Sequence, residues 1–357
     1  MDSVHLSRRV MHALMDAGVS ASKPQLTNLA LLCAALAISA DCRLGTLALA
    51  LPLPGQRDSL IQRLRRMLDH PPRWDRVYRP LVVQLFRNWS AAEVPLVMDR
   101  TDLGNRMSIL NLGVAYGKRL LPLVWDVLTF GGTGAATHIA LLDRIAALLP
   151  PGLAVTFFGD AEFRGIDLQQ YCRAHGWHWH VGMKSDVRIR TADSQAMTLA
   201  DLGILPGQRL YHQHVYLTEH RPFGPVNIIA DWTHHDTSPR YWALDLPADR
   251  YAWRRGRKRF WIEPCFRDWK SYGFDLEATQ IDRQARIDAL MVPVAITTLW
   301  MLHLGHWLTI TDRRYLLEGR RKRDYSLFRL GRDWVQRART MDWPVPVAFT
   351  VGHKPPA

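Results

Sequence analysis

A succession of apolar runs between residues 94 and 160 constrains the fold more than any other part of this sequence. Three strand-like runs, the first being VPLVMDRTDL, follow one another with short turns such as Gly104-Asn105 between them. A helical segment from Ala136 to Leu149 then leads to a fourth strand-like run, LAVTFFGD. Short turns favour antiparallel pairing, whereas a helical crossover favours parallel pairing between the third and fourth strands. We therefore predict a mixed sheet with helices packed on it.

The rest of the chain completes an α/β pattern. Residues 1–90 carry apolar positions at helical spacing, which predicts an all-helical N-terminal domain. Three antiparallel strands, a helix, a strand and more helices are the order of a ribonuclease H-like catalytic core, assigned to residues 91–176 and 251–310. Between these parts, residues 177–250 predict an inserted antiparallel β subdomain. Residues 311–357 form a basic segment with a Pro-rich tail, which we expect to be loosely attached.

The charge of the chain indicates a polyanionic partner. The formal net charge is +13 and the pI is about 10.0, values that favour nucleic acid or an anionic membrane. Most of the cations are arginines, which suit bidentate contact with phosphate. The basic residues are not gathered on one amphipathic segment, which argues against a membrane surface. A helix predicted to begin near Ser59 has a basic face that is either solvated or a DNA-backbone surface, with four arginines on it: Arg57, Arg63, Arg65 and Arg66. With the charge of the chain, the second alternative predicts DNA-end binding by the N-terminal domain.

Cysteine spacing and the apolar stretches indicate a soluble protein of a reducing cytosol. The four cysteines lack a CxxC spacing: Cys33, Cys42, Cys172 and Cys265. The first ten residues are charged and no continuous apolar core follows them, so we expect no signal peptide. The stretch 29–40 is too short to span a bilayer, and Pro293 and Gly305 interrupt the stretch 290–308. We interpret both stretches as buried helices.

Three acidic residues form the candidate catalytic set. Two apolar runs end in aspartate, VPLVMD at Asp99 and VTFFGD at Asp160, and Glu263 follows on a later helical segment. Mg²⁺ prefers carboxylate oxygens, and such a set can hold two ions for phosphoryl transfer. Asp102 is the alternative first ligand. We prefer Asp99 because Asp99 ends the apolar run. We interpret Glu162 as a supporting or surface residue.

Glu263 lies between two cations. At 3.6 residues per turn, Arg259, Glu263 and Lys270 share one face of a helix. An ordinary i,i+4 ion pair is the alternative explanation for Arg259 beside Glu263. Because Pro264 is tolerated in a first helical turn and disruptive farther in, the helix should begin near Ile262, with Arg259 on the approach to it.

These residues together resemble the IS4 family of insertion-sequence transposases, in the DDE group. That family has the pattern Tyr, two residues, Arg, three residues, Glu, six residues, Lys. The chain matches it at Arg259, Glu263 and Lys270, with Gly256 in the position of the tyrosine. MDRTDL and FFGDAEFRG resemble the two aspartate regions, and the resemblance covers roughly residues 90–310.

The resemblance implies a transposase that cuts DNA at insertion-element ends and joins them to target DNA by two-metal phosphoryl transfer. Asp99, Asp160 and Glu263 would be catalytic and would bind two Mg²⁺ ions, for which Mn²⁺ can substitute. Arg259 and Lys270 would grip the DNA phosphates beside the cut. The implied partners are double-stranded DNA, as element ends and target, and a second copy of the chain on paired ends, without a membrane. The implied location is the bacterial cytoplasm, with the nucleoid.

Two aromatic or histidine positions have competing interpretations. Trp242, in RYWALDLP, sits where some relatives place a tryptophan that stacks on a flipped base, or it is an ordinary cross-strand aromatic. His234-His235 lacks a third spaced ligand, so a turn is favoured over a metal site. For the whole chain, the alternatives are a ribonuclease H-like nuclease without strand transfer and a DNA-binding relative without catalytic activity.

Overall fold

Helices fill the part of the chain before the first strand, as the helical spacing predicted. The computed structural model describes residues 3–217, 221–319 and 323–352. The first helices are α1 (Ser3–Asp16), α2 (Lys23–Ser39), α3 (Leu44–Ala50), α4 (Arg57–Asp69), α5 (Trp74–Val77) and α6 (Arg79–Arg87). Ser22 begins α2 with a capping box, in which Ser22 and Gln25 each bond the other's backbone N–H. The buried side chains of these helices belong to the same core cluster as the sheet.

Five strands form the first part of the sheet, four of them within residues 91–176 and the fifth just after this segment. They are β1 (Glu93–Leu103), β2 (Met107–Tyr116), β3 (Arg119–Thr129), β4 (Ala154–Gly159) and β5 (His178–Met183). β1, β2 and β3 form an antiparallel meander, as predicted. Helix α7 (Ala135–Ala146) leads from β3 to β4, and α8 (Ile166–Ala174) leads from β4 to β5.

The parallel pairing differs from the prediction in one respect. The fourth strand pairs in parallel with β1, not with the third strand, and β5 then pairs in parallel with β4. The meander leaves two open edges, the outer sides of β1 and β3, and the helical crossover carries the chain to the β1 edge. The strand order in this part is β3-β2-β1-β4-β5.

Five further strands extend the same sheet. They are β6 (Arg188–Arg190), β7 (Ala196–Thr198), β8 (Arg209–Leu217), β9 (Phe223–Asp231) and β10 (Arg240–Leu244). The ten-stranded order is β3-β2-β1-β4-β5-β10-β9-β8-β6-β7, and β10 is antiparallel to β5. The predicted antiparallel strands are therefore present, but they continue the sheet instead of forming a separate one. Strand β5, which the sequence placed in the 177–250 insertion, belongs with the parallel strands.

The last helices carry the glutamate candidate and close the core. They are α9 (Arg250–Gly256), α10 (Ile262–Arg267), α11 (Gln284–Ile310) and α12 (Leu327–Met341). Helix α11 is long and apolar enough to cross a membrane, yet 89% of its most apolar window is buried inside the protein. It packs against α2, α4, α12 and β3. Since a helix that is apolar all round must be covered on every side, this packing accounts for its composition.

Helices α11 and α12 approach closely at two glycines, which gives a stability prediction. A Cβ at Gly331 would overlap the Met301 carbonyl, and a Cβ at Gly305 would overlap the Leu327 carbonyl. The Gly331→Ala variant should therefore lose about 2 kcal/mol of unfolding free energy, although alanine favours an isolated helix. Chemical denaturation measures this loss. Gly319→Ala is the control because no atom of the described residues lies within 4 Å of its Cβ position, and an equal effect of both variants would contradict the close approach.

The Pro-rich tail is attached to the core through residue 352, contrary to the prediction of a loose tail. Val345 and Phe349 are buried. The Trp300 indole N–H donates to the Pro346 carbonyl at 2.9 Å, and the Tyr116 hydroxyl donates to the Gly352 carbonyl at 3.1 Å. Apolar residues between the prolines supply the buried contacts that the proline content obscured. Residues 353–357 lie outside the described residues.

Candidate active site

The strand register brings Asp99 and Asp160 together. Val97 of β1 lies opposite Phe158 of β4 in the parallel pair. Because side chains alternate between the faces of a strand, the residues two positions farther along lie on the same face at neighbouring strand positions. These residues are Asp99 within β1 and Asp160 just after β4. The Asp160 carboxylate accepts from the Glu162 N–H at 2.8 Å, which begins the 3₁₀ turn after β4.

Arg259 lies among all three predicted carboxylates. Its Nη2 lies 3.6 Å from Asp99 Oδ2 and 3.5 Å from Asp160 Oδ2. Its Nη1 donates to Glu263 Oε1 at 3.1 Å. The two aspartate oxygens can be no farther apart than the sum of the first two distances, and Glu263 reaches the other nitrogen of the same guanidinium. The three acidic side chains thus converge, although they are distant in the sequence.

Burial makes it unfavourable for the carboxylates at this site to be ionised. Desolvation raises the pKa of Asp99 to about 7, the positive charge of Arg259 partly offsets the rise, and the charges of Asp160 and Glu263 add to it. The Arg259 Nε–H is itself buried without a hydrogen-bond partner among the described residues. Three carboxylates therefore share one cation that is incompletely bonded. A further cation beside these carboxylates would stabilise their ionised forms.

The backbone around Glu263 is less regular than the shared helix face that the spacing predicted. A 3₁₀ turn, Arg257–Trp261, precedes α10, and a π-helical turn, Asp268–Tyr272, follows it. Helix α10 begins at Ile262 with Pro264 in its first turn, as the proline predicted. The i,i+4 ion pair between Arg259 and Glu263 is present. The same guanidinium also reaches two aspartates, which a solvated i,i+4 pair would not do.

Lys270 lies apart from this arrangement. Its ammonium pairs with Glu277 at 2.6 Å, from within the π-helical turn. No contact with the three carboxylates is present among the described residues. Gly256, which stands where the family pattern has tyrosine, packs on the buried His180 ring, and a Cβ there would overlap that ring. A tyrosine does not fit at this position in the present arrangement.

Trp242 is a packing residue in this structure. It is 9% exposed and belongs to a small core cluster with Ile229 and Ala248. Its ring meets the ring of His180 edge-on, with 6.1 Å between centroids. The cross-strand alternative describes this residue, because a buried indole is not available to stack on a base. His234-His235 lies in the turn between β9 and β10, as expected.

A polar network that the sequence did not reveal supports the aspartates. Arg100 pairs with Glu162 at 3.2 Å and with Asp102 at 3.0 Å. The Thr133 hydroxyl donates to Glu162 at 2.6 Å and lies 2.6 Å from His138 Nε2. Glu162 thus ties the residue after Asp99 to the loop after β3, which fits the first of its two predicted roles, supporting or surface residue. Asp102 is directed to Arg100, so the structure places Asp99, and not Asp102, in the carboxylate cluster.

Asn111 is a second residue that the sequence did not single out. It lies opposite Asp99 in the β1–β2 pair, and directly opposed residues share a face of the sheet. Asn111 is fully buried, and neither polar atom of its side chain has a hydrogen-bond partner among the described residues. Only the register could have located it, because asparagine inside an apolar strand has no spacing signal. An amide with free donor and acceptor capacity therefore lies beside the carboxylate cluster.

Glu93 fixes the segment that carries Arg259. Its carboxylate bonds the Thr156 hydroxyl at 2.6 Å, Lys258 at 3.1 Å, and Arg255. These bonds tie β1 and β4 to α9 and the 3₁₀ turn. Burial alone would raise the pKa of Glu93, but the Thr156 hydrogen bond and the nearby cations hold it below its usual value. The ionised carboxylate therefore stabilises the fold.

The lowered pKa of Glu93 predicts a pH-dependent contribution to stability. A group whose pKa is lower in the folded state stabilises the protein above its unfolded pKa and loses this contribution as pH falls through the folded pKa. The Glu93→Gln variant should be less stable than the wild type by about 1–3 kcal/mol near neutral pH. The difference should shrink as the pH falls below about 4, near the ordinary glutamate pKa. Urea denaturation across pH measures it, and a difference independent of pH would contradict this role.

The donor chemistry of the cluster fits a hard divalent cation. Three carboxylates supply the oxygen ligands that Mg²⁺ prefers. As the side chains stand, however, no group of three or more His, Cys, Asp or Glu residues within the described ranges is arranged to hold a metal ion. The Arg259 guanidinium is paired with all three carboxylates. Binding of a metal ion by the whole set would therefore require Arg259 to move.

Comparison with known proteins identifies the family. The fold and the cluster define an α/β protein with a three-carboxylate centre on strand ends and a helix. Residues 104–300, more than half of the chain, match the transposase DDE domain, and the chain belongs to this family. Asp160, Arg259 and Glu263 lie inside the matched region and Asp99 lies just before it.

Similarity outside the family match is remote. A cryo-EM structure of a piggyBac transposase synaptic complex with hairpin DNA resembles the chain with a TM-score of 0.48 and 8% sequence identity. The match covers 97% of this chain and 83% of that chain. No curated protein matches the sequence.

Proposed function

We propose that this protein is a DNA transposase that cuts at the ends of an insertion element and joins them to target DNA by two-metal phosphoryl transfer. The observation that carries the proposal is the convergence of Asp99, Asp160 and Glu263 on one guanidinium. Membership of the transposase DDE family supports a catalytic role for these three carboxylates. The Arg–Glu–Lys spacing and the two aspartate regions favour the IS4 family within that group.

The strand order supports a ribonuclease H-like core. Three antiparallel strands are followed by two parallel strands on the free side of β1, each reached through a helix. The first aspartate lies in the central strand β1, and the second follows its parallel neighbour β4. Glutamate then comes from the helical segment that crosses back after the extra strands. The sheet holds the aspartates rigidly, which suits in-line chemistry that tolerates little misplacement.

The residues of the chain divide the work. Asp99, Asp160 and Glu263 would hold two Mg²⁺ ions, which activate an attacking water or 3′-hydroxyl and stabilise the leaving oxygen. Glu263 is half-exposed and can turn toward an incoming ion more easily than the buried Asp99. Arg259 leaves the carboxylates and contacts a DNA phosphate beside the cut. Glu162 and Glu93 hold the flanking segments in place during this exchange.

The partners follow from the charge and the reaction. A net charge of +13 favours double-stranded DNA, to which arginine-rich surfaces bind through phosphates. Joining two element ends needs two catalytic centres, so we expect the chain to act as a homodimer on paired ends. Lys270, paired with Glu277 in the free protein, would contact DNA only after leaving that partner.

The experiment uses a DNA fragment that carries the inverted repeats expected beside the gene. The purified protein should cleave at the repeat boundary with Mg²⁺ or Mn²⁺ and should stop in EDTA. A pre-cut end with a free 3′-hydroxyl should then be joined to a target plasmid. Cleavage without joining would favour the ribonuclease H-like nuclease, and binding without cleavage would favour the catalytically silent relative.

A further inference from the structure

A large basic cleft lies between the N-terminal helices and the core. Its volume is about 690 Å³, and one wall is the exposed face of α4 with its arginines. The opposite wall is the segment Thr279–Asp282 together with Arg286 at the start of α11. Five arginines and two aspartates line it, so the lining carries an excess of positive charge.

The ion pairs of the cleft leave three arginines free of carboxylates. Arg286 and Asp69 form a bidentate pair at 2.6 and 2.8 Å, which joins α11 to α4. Arg43 is held by Asp41. Within the described ranges, no carboxylate lies in ion-pair range of the other three, which are all exposed: Arg57, Arg65 and Arg66. Their positive charge is therefore available to a ligand.

The cleft is connected to the strand that carries the first catalytic aspartate. Arg106, in the turn that ends β1, donates to the carbonyls of Thr279 and Ile281 at 3.5 and 3.4 Å. Asp99 lies four residues before the end of the same strand at Leu103. Since a strand rises about 3.3 Å per residue, about 13 Å of β1 lies between Asp99 and Leu103, and Arg106 then links the following turn to the Thr279–Asp282 wall of the cleft.

We propose that this cleft binds the phosphate backbone of the DNA duplex next to the cut, with Arg57, Arg65 and Arg66 as the phosphate contacts. The inference rests on the proposed function and names a substrate surface for it. Arg57 and Arg65 are eight residues apart, about 12 Å along the helix. A duplex carries about one phosphate charge per 1.7 Å of its axis, so several phosphates fall within that length. A small anion would need only one of these arginines.

The experiment measures binding of the full chain to a fluorescent duplex of about 30 base pairs, at a series of salt concentrations. The double variant Arg65→Gln/Arg66→Gln should weaken binding at low salt. The slope of log K against log salt should fall by about 2, because each lost phosphate contact removes about 0.9. The double variant Arg65→Lys/Arg66→Lys keeps both charges and should keep the slope. Both residues are exposed on α4, and thermal melting verifies that the variants fold.

The matched control removes two exposed arginines from the other end of the sheet, as Arg188→Gln/Arg190→Gln on β6. This control should keep nearly the wild-type slope. An unchanged slope in the cleft variant, or an equal fall in both glutamine variants, would overturn the proposal. This result is separable from the proposed function. If the cleft variant binds DNA more weakly but the wild type does not cleave, the transposase function is wrong and the binding cleft stands. Normal cleavage with no effect of the cleft variant would do the reverse.

Discussion

Glu263→Gln should abolish strand cleavage while leaving the binding of DNA ends intact. The substitution keeps the size of the side chain and removes one of three carboxylates around Arg259. A metal ligand supplies several kcal/mol of transition-state stabilisation, which corresponds to a loss of roughly a thousandfold in rate. Since Glu263 is half-exposed at the start of α10, the fold should tolerate the change. Single-turnover cleavage and a gel-shift assay on the same DNA measure the two effects.

The control for this variant is Glu277→Gln, the same substitution about fourteen residues farther along the chain. Glu277 is similarly exposed and pairs with Lys270, away from the cluster. It should cleave within a few-fold of the wild type. Cleavage by the Glu263 variant at the wild-type rate would remove the glutamate from the mechanism, even if Asp99 and Asp160 proved essential.

The sequence predicted the local elements better than their arrangement. Strand β1 was predicted from its apolar run and the turn residues after it, and Pro264 located the start of α10. Each of these features depends on neighbours in the sequence. The pairing of β4 with β1, and the continuation of the sheet through β10, depend on which strand edge stays open. A single sequence carries no local signal for that choice.

The candidate site shows the same division. Asp99 and Asp160 end apolar runs, and Glu263 stands in a spaced pattern with Arg259, so all four residues were visible in the sequence. The burial of individual side chains could not be predicted from the sequence. Trp242 is packed and not exposed, a difference that depends on which face of β10 the helix α9 covers. The links from Glu162 and Glu93 to distant cations are likewise products of the tertiary fold.

Arg259→Gln should tighten divalent-metal binding in the absence of DNA by about tenfold or more. In the free protein the guanidinium contacts all three carboxylates, and any entering ion must displace it. Only the contact with Glu263 is a hydrogen bond. Such a bond contributes roughly 1.5–3 kcal/mol when buried and less at a half-exposed carboxylate, so with the two longer ion pairs we expect a total of about 1.4 kcal/mol or more, which is about a tenfold change in affinity. The glutamine cannot compete as a cation. Titration calorimetry with Mn²⁺ on the DNA-free protein measures the change.

The same replacement should uncouple metal binding from DNA binding. In the wild type, a DNA phosphate that takes Arg259 frees the carboxylates, so a duplex should tighten Mn²⁺ binding and Mn²⁺ should tighten duplex binding by the same factor. In Arg259→Gln this factor should approach one. Lys258→Gln is the matched control, because it removes one positive charge at the adjacent residue, where the ammonium pairs with Glu93. If both variants bind Mn²⁺ equally, the change reflects net charge alone, and Arg259 does not control entry to the centre.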